Sequence, residues 1–122
     1  MDTNDLMDEL ARRGEAGDAD GLAALCSPDL VFTQNTGLTG GIEALTALVE
    51  GLNELGISVA YSNIRRLTAS DVVVEQRLVT LNRRNGVSAS TDMCLVCRIN
   101  DDGLIRQVDE YLDSAALAAV LS

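Results

Sequence analysis

The chain has 122 residues, with nineteen acids against nine bases and a formal charge of −10; every base is Arg, since there is no Lys and no His. A surface without a basic face excludes nucleic acid as a partner, because counterion release needs clustered cations. The absence of His and Lys removes the imidazole base, the side-chain Schiff-base amine and the His metal ligand, so proton transfer falls to Asp, Glu, Tyr or Cys.

The first segment, 4–13, has Leu6, Met7 and Leu10 at helical spacing and acids in its first turns, which suits the helix macrodipole. Asp2, Asp5, Asp8 and Glu9 stand where a signal peptide would need a basic start and an apolar middle. The expected compartment is therefore the cytoplasm, and no apolar run is long enough to cross a membrane. This helix is predicted to end near Gly14 or Gly17. Asp18 can cap a short second helix over 19–26, with Pro28 at the stop position. A short strand over 30–34 comes next, and Asn35, Thr36 and Gly37 turn it toward Thr39. The longest predicted helix, 41–55, carries the apolar stripe Ile42, Leu45, Leu48, Val49 and Leu52 and has Gly56 at its C-terminal end.

From Ile57 the period changes to that of strands. Four runs, 57–67, 71–83, 87–99 and 104–112, are joined by short turns, of which Arg84-Asn85-Gly86 is a strong hairpin signal. The meander is predicted to be antiparallel. Asn100, Asp101, Asp102 and Gly103 make the last turn, and Asp113 is a good N-cap for an apolar helix over 114–121. The whole chain, 1–122, reads as one α+β domain in which helices cover one face of a curved sheet.

Cys26, Cys94 and Cys97 are an odd set, which argues against a disulfide framework and suits a reducing compartment. Cys94 and Cys97 spell C-x-x-C, but residues three apart on a strand point to opposite faces and cannot chelate one ion. They read as packing residues, and no metal is expected. On 71–83, one face carries Val73, Glu75, Arg77, Val79 and Leu81, and the other Val72, Val74, Gln76, Leu78 and Thr80. Both are partly apolar, so the pattern leaves open which is inside. The set Val72, Val74, Leu78, Cys94, Val96 and Tyr111 is too apolar for a solvated face and predicts a homodimer through the outer side of the sheet.

The turn closing at Gly103, with Ile105 two residues on, and the strand ending in Glu110, Tyr111, Leu112 and Asp113 resemble the last strand of NTF2-like proteins. The subgroup they resemble most is that of SnoaL-like proteins and limonene epoxide hydrolase. The resemblance implies a cone, in which N-terminal helices cover the concave face of a curved antiparallel sheet and a short C-terminal helix closes the chain. It also implies a pocket inside the cone that needs no cofactor. The hydrolase's last-strand acid falls on Glu110, its Arg on Arg77 and its Asn on Asn35. These three are the candidate catalytic residues: Glu110 as base, Arg77 as the partner that favours its charged form, and Asn35 as a ligand to water or substrate. The hydrolase's second acid and its Tyr fall on Val79 and Thr33, so the proton donor of epoxide opening has no counterpart there. Glu75, on the same face as Arg77, is the candidate replacement acid.

The expected walls of the pocket are Thr33, Val79, Met93, Leu95, Val108 and Leu112. Ketosteroid isomerase shares the fold, but its base would fall near Gln34 or Asn35 and its oxyanion-stabilising Asp on Leu95, so its mechanism is not expected. The implied function is that of a cofactor-free hydrolase, isomerase or cyclase acting on a small apolar molecule. The alternative is a non-catalytic dimer that binds such a molecule. Plainer roles compete residue by residue: Glu110 and Arg77 as a structural ion pair, Asn35 as a turn residue, and Tyr111 and Asp113 in packing and capping. Arg65, Arg66, Arg83 and Arg84 read as a solvated face or hairpin end.

Overall fold

In the computed structural model, which describes residues 1–122, Asp2 caps the first helix by accepting the Asp5 N–H at 2.8 Å. That helix, α1 (Thr3–Glu15), turns Leu6, Met7 and Ala11 into the core and ends before Gly17, whose φ of +65° needs a residue without a Cβ. Asp18 caps α2 (Ala19–Ala24) in the same way. This helix stops two residues sooner than its pattern implies, because Cys26 already begins β1 (Cys26–Gln34). Pro28 therefore lies within a strand rather than behind a helix. It sits where the β1 register breaks between Cys26 and Val31, a position that needs no N–H from it.

A two-residue strand, β2 (Thr39–Gly40), pairs back onto β1, and α3 (Ile42–Glu54) then crosses the sheet. Four strands complete the sheet: β3 (Ile57–Ala69), β4 (Val72–Arg83), β5 (Ser88–Ile99) and β6 (Ile105–Leu112). A short 3₁₀ turn, Ser114–Leu117, capped by Asp113, runs into α4 (Ala118–Leu121). The sheet order is β2-β1-β6-β5-β4-β3. The meander β3 to β6 is antiparallel as expected. β1, however, lies parallel to β6, so the sheet as a whole is mixed. The crossover through α3 explains this, since it returns the chain to the far edge of the sheet rather than to the strand beside β1.

Two irregularities bend the sheet and choose which side chains face inward. In β3 the register shifts by one residue between Ser62 and Arg65, with Asn63 at φ +53°. In β6 the pairing shifts beside Arg98 and Ile99, so that Ile105 and Val108 are both buried. Extra residues of this kind increase local twist and re-aim the side chains beyond them. The helices pack on the concave face, where Met7, Leu22 and Leu45 meet Phe32, Val73, Leu95 and Ile105. Phe32, the only Phe of the chain, is completely buried. Phe32→Ala is expected to cost about 3–5 kcal/mol, read as a lower urea midpoint, because a rigid core closes only partly around the lost ring.

Candidate active site

The concave face is the one that carries Val73, Glu75, Arg77, Val79 and Leu81, all of them buried. Between it and the helices lies a cavity of about 470 Å³, ordinary for a small-molecule site. Leu48, Val49 and Leu52 of α3 form one wall. Val79, Met93, Leu95, Val108 and Leu112 form the sheet wall.

Glu110 projects into this cavity from β6, between Val108 and Leu112. Its Oε1 accepts the Gln34 Nε2–H at 3.0 Å, and the Gln34 Oε1 accepts the Thr36 hydroxyl at 2.7 Å. The hydroxyl thus orients the amide, and the amide orients the acid. Burial raises the Glu110 pKa from its ordinary value, while the Gln34 hydrogen bond and the more distant charge of Arg77 pull the other way without cancelling it. The expected pairing of Glu110 with Arg77 does not form. Arg77 pairs with Glu75 instead, Nη1 to Oε2 at 3.1 Å. The reason is positional: β5 separates β4 from β6, and two strand spacings amount to about 10 Å. Glu110 and Arg77 both line the same cavity, from strands two apart in the sheet.

Glu75, the candidate acid, is fully buried and does not reach the cavity. Its two oxygens accept from Arg77 and from Arg66 Nε at 2.8 Å, which makes it the counter-ion of two guanidiniums rather than a proton donor. Arg66 continues outward to Asp8 on α1 at 3.0 Å. Arg66 is not on the solvated face expected for it, because the extra residue in β3 pairs it with Glu75 and turns it inward. Arg83 is likewise tied down, its Nε donating to the Val120 carbonyl. Arg77 lies over the ring of Tyr61, 3.7 Å from the centroid, and its Nη2 approaches Met93 Sδ at 3.7 Å. Its Nε is buried without a hydrogen-bond partner.

Thr33 and Asn35 do not join the cavity. Thr33 sits opposite Asp109 on the other face of the sheet and donates to its Oδ1 at 2.6 Å. Asn35 is used by the backbone: its side-chain amide donates to the Leu112 carbonyl at 2.9 Å and accepts the Leu112 N–H at 3.1 Å. Both positions miss the cavity because β1 alternates the other way, so that Phe32 and Gln34 point inward. Gln34 and Tyr61 are the site residues that the sequence pattern does not single out. The signal for Tyr61 is its parity with Ile57 and Val59 on β3. Cys94 and Cys97 do point to opposite faces, with Cys97 fully buried. Burial raises the thiol pKa of Cys97, and that of Cys26 to about 11.

The sequence matches the SnoaL-like domain over residues 7–108. Among solved structures, a candidate polyketide cyclase from Xanthomonas campestris pv. campestris superposes with a TM-score of 0.85 at 18% identity, over 98% of this chain and 96% of that one. One from Pseudomonas putida KT2440 gives 0.84 at 18% identity, over 98% and 97%. IdmH, a candidate polyketide cyclase from Streptomyces antibioticus, gives 0.77 at 18% identity, over 97% and 96%. At such identities the likeness is one of fold. No curated protein matches the sequence.

Proposed function

Since this chain belongs to the SnoaL-like domain family, whose match spans residues 7–108, we propose that it is a cofactor-free acid/base enzyme acting on a small, mostly apolar molecule held in the cone. The observation that carries this reading is Glu110. It is a carboxylate in a largely apolar cavity, bonded by one neutral amide and by no cation. A structural carboxylate in such a place would be costly and would ordinarily be paired, as Glu75 is. A base that is desolvated and only lightly held is suited to taking a proton from a carbon acid or a water. Val79 offers no proton to an epoxide oxygen, so isomerisation or cyclisation through a carbon acid is favoured over epoxide hydrolysis. The names of the structural neighbours, candidate polyketide cyclases, support the same direction.

The second reading is a non-catalytic ligand-binding dimer. Val79 favours it, because the wall beside Arg77 carries no carboxylic acid facing the cavity. A panel of apolar epoxides, lactones and enones, incubated with the wild-type protein and with Glu110→Gln, separates the two. Turnover lost in the variant supports the enzyme. Turnover equal in both overturns Glu110 as the base, and a co-purified ligand against Glu110 with no turnover at all supports the binder.

In either case the protein is proposed to be a homodimer through the outer face of the sheet. Val72, Val74, Leu78, Cys94 and Val96 are only half-buried there, Val31 and Tyr111 are exposed, and the patch is apolar. Sedimentation equilibrium at micromolar concentration is expected to give twice the chain mass of 12.9 kDa. A monomer would overturn the assignment.

A further inference from the structure

We infer that Arg83 and Arg84 form an anion subsite at the rim of the cavity, and that the ligand is an amphiphile whose single carboxylate binds there while its apolar body runs into the cone. The inference rests on the cavity being a ligand site and not on Glu110 being a base.

The charges of the cavity are few and unevenly placed. Five charged side chains line it: Glu15, Arg77, Arg83, Arg84 and Glu110. Arg77 is neutralised by Glu75. Arg12, Arg13, Arg66 and Arg106 also have a carboxylate within 4.0 Å, whereas Arg83 and Arg84 have none. Arg65 and Arg98, the other two without one, lie off the cavity. In a chain of formal charge −10, the two guanidiniums left without a counter-ion at the cavity are therefore consecutive residues.

The strand register separates this pair from both acids of the lining. Glu110 is level with Leu95 of β5, and Leu95 is level with Glu75 of β4. Arg83 lies eight residues further along β4, about 26 Å of strand. Glu15 is remote as well. Its Oε2 accepts the Tyr61 N–H, and Tyr61 stands four residues along β3 from Ile57, the partner of Arg83, which is about 13 Å. Leu52, Val59, Val79 and Leu81 make the lining between the ends mostly apolar. An anion that enters tail first keeps its charge at the cationic end and away from Glu110.

Both guanidiniums are held from behind and have donors to spare. Arg83 shares the parity of Val79 and Leu81, and its Nε donates to the Val120 carbonyl at 2.6 Å. Val120 is completely buried, so the anchor is fixed. That is the only hydrogen bond of the Arg83 side chain, and its two terminal nitrogens remain free. Arg84 crosses Gly56 at the C-terminal end of α3: a Cβ on Gly56 would lie 3.2 Å from the Arg84 Nε. Gly56 also has a φ of +70°, so glycine meets both demands. Guanidiniums placed in advance, with free N–H groups, suit a carboxylate through charge-assisted hydrogen bonds. The chain's net charge repels each further negative charge of a ligand, which favours a carboxylate over a phosphate dianion.

Displacement of the neutral dye N-phenyl-1-naphthylamine by decanoate and by decan-1-ol provides the test, at a pH well above the carboxyl range. The two ligands share a chain length and differ in charge. Wild-type protein is expected to bind decanoate about tenfold more tightly than decanol, with the ratio falling as salt is added. Arg83→Gln and Arg84→Gln are each expected to lower that ratio, and the double variant to bring it to about one, while Arg83→Lys keeps part of it. Decanol and the dye binding with no preference for decanoate overturns the subsite and leaves the cavity as a site for neutral ligands. Decyl phosphate binding more tightly than decanoate overturns the carboxylate. Dye, decanol and decanoate all failing to bind overturns both the subsite and the cavity reading. A merely structural role, such as Arg84 offsetting the dipole of α3, would lower the melting temperature and leave the ratio unchanged. Arg84 is exposed, so Arg84→Gln decides even if Arg83→Gln folds poorly: a ratio equal to wild type overturns the proposal.

Discussion

Glu110→Gln is expected to lower turnover of any accepted substrate by about 10²–10⁴-fold, the usual contribution of a positioned general base, while the protein still melts cooperatively. Gln keeps the shape of the side chain and can still bond Gln34 after an amide rotation, so the loss is that of a proton acceptor. The pH dependence gives an independent check. Burial holds the Glu110 pKa above its ordinary value of 4.5, and the base works only when ionised. The wild-type kcat/KM is therefore expected to rise with pH through that raised pKa. Stability runs in the opposite sense. A carboxyl whose pKa is higher folded than unfolded gives its full stabilisation below the unfolded value and loses it as pH rises through the folded one. Glu110→Gln removes this slope, so urea titrations above that window are expected to find the variant as stable as wild type or more so. Unchanged turnover in the variant would end the enzymatic reading.

The second large effect is on stability. Glu75→Ala is expected to cost about 3–5 kcal/mol, because it leaves Arg77 and the inner end of Arg66 in the core without their shared counter-ion. Against a typical total of about 5–15 kcal/mol, that loss lowers the melting temperature by many degrees. Arg66 can swing toward Asp8 and water, but Arg77, only 5% exposed, has nowhere to go. Replacing the pair by apolar residues of similar size, Glu75→Leu with Arg77→Met, is expected to recover most of the loss and to abolish the stacking on Tyr61. A single Glu75→Ala variant as stable as wild type by urea denaturation would show that the network is solvated in solution.

Element types are readable in the chain because each rests on local chemistry. The stripe Ile42, Leu45, Leu48, Val49 and Leu52 repeats at 3.6, the strands repeat at 2, and Asp2, Asp18 and Asp113 cap helices through their own side chains. Parity keeps Val108, Glu110 and Leu112 on one face of β6 and Met93 and Leu95 on one face of β5, and the packed sheet puts those faces, with Val79, on the cavity. Parity fails where the chain departs from strict alternation or where a neighbouring strand sets the phase. Arg66 is inside because of one extra residue near Asn63. Thr33 and Asn35 are outside because β1 aligns with β6 in the register that turns Phe32 inward.

Residue order and composition were enough for the α+β class, the succession of helices and strands, and the exclusion of His- and Lys-based chemistry; Glu110 was singled out only by the resemblance of the last strand. Composition and periodicity are properties of the chain, and they survive in any arrangement of its elements. It took the packed sheet to show that Arg77 belongs to Glu75 and not to Glu110, that β1 runs parallel to β6, and that Tyr61 rather than a carboxylic acid stands beside Val79. Those facts depend on which strands are neighbours and on single-residue shifts of register. One residue of slip reverses every side chain beyond it.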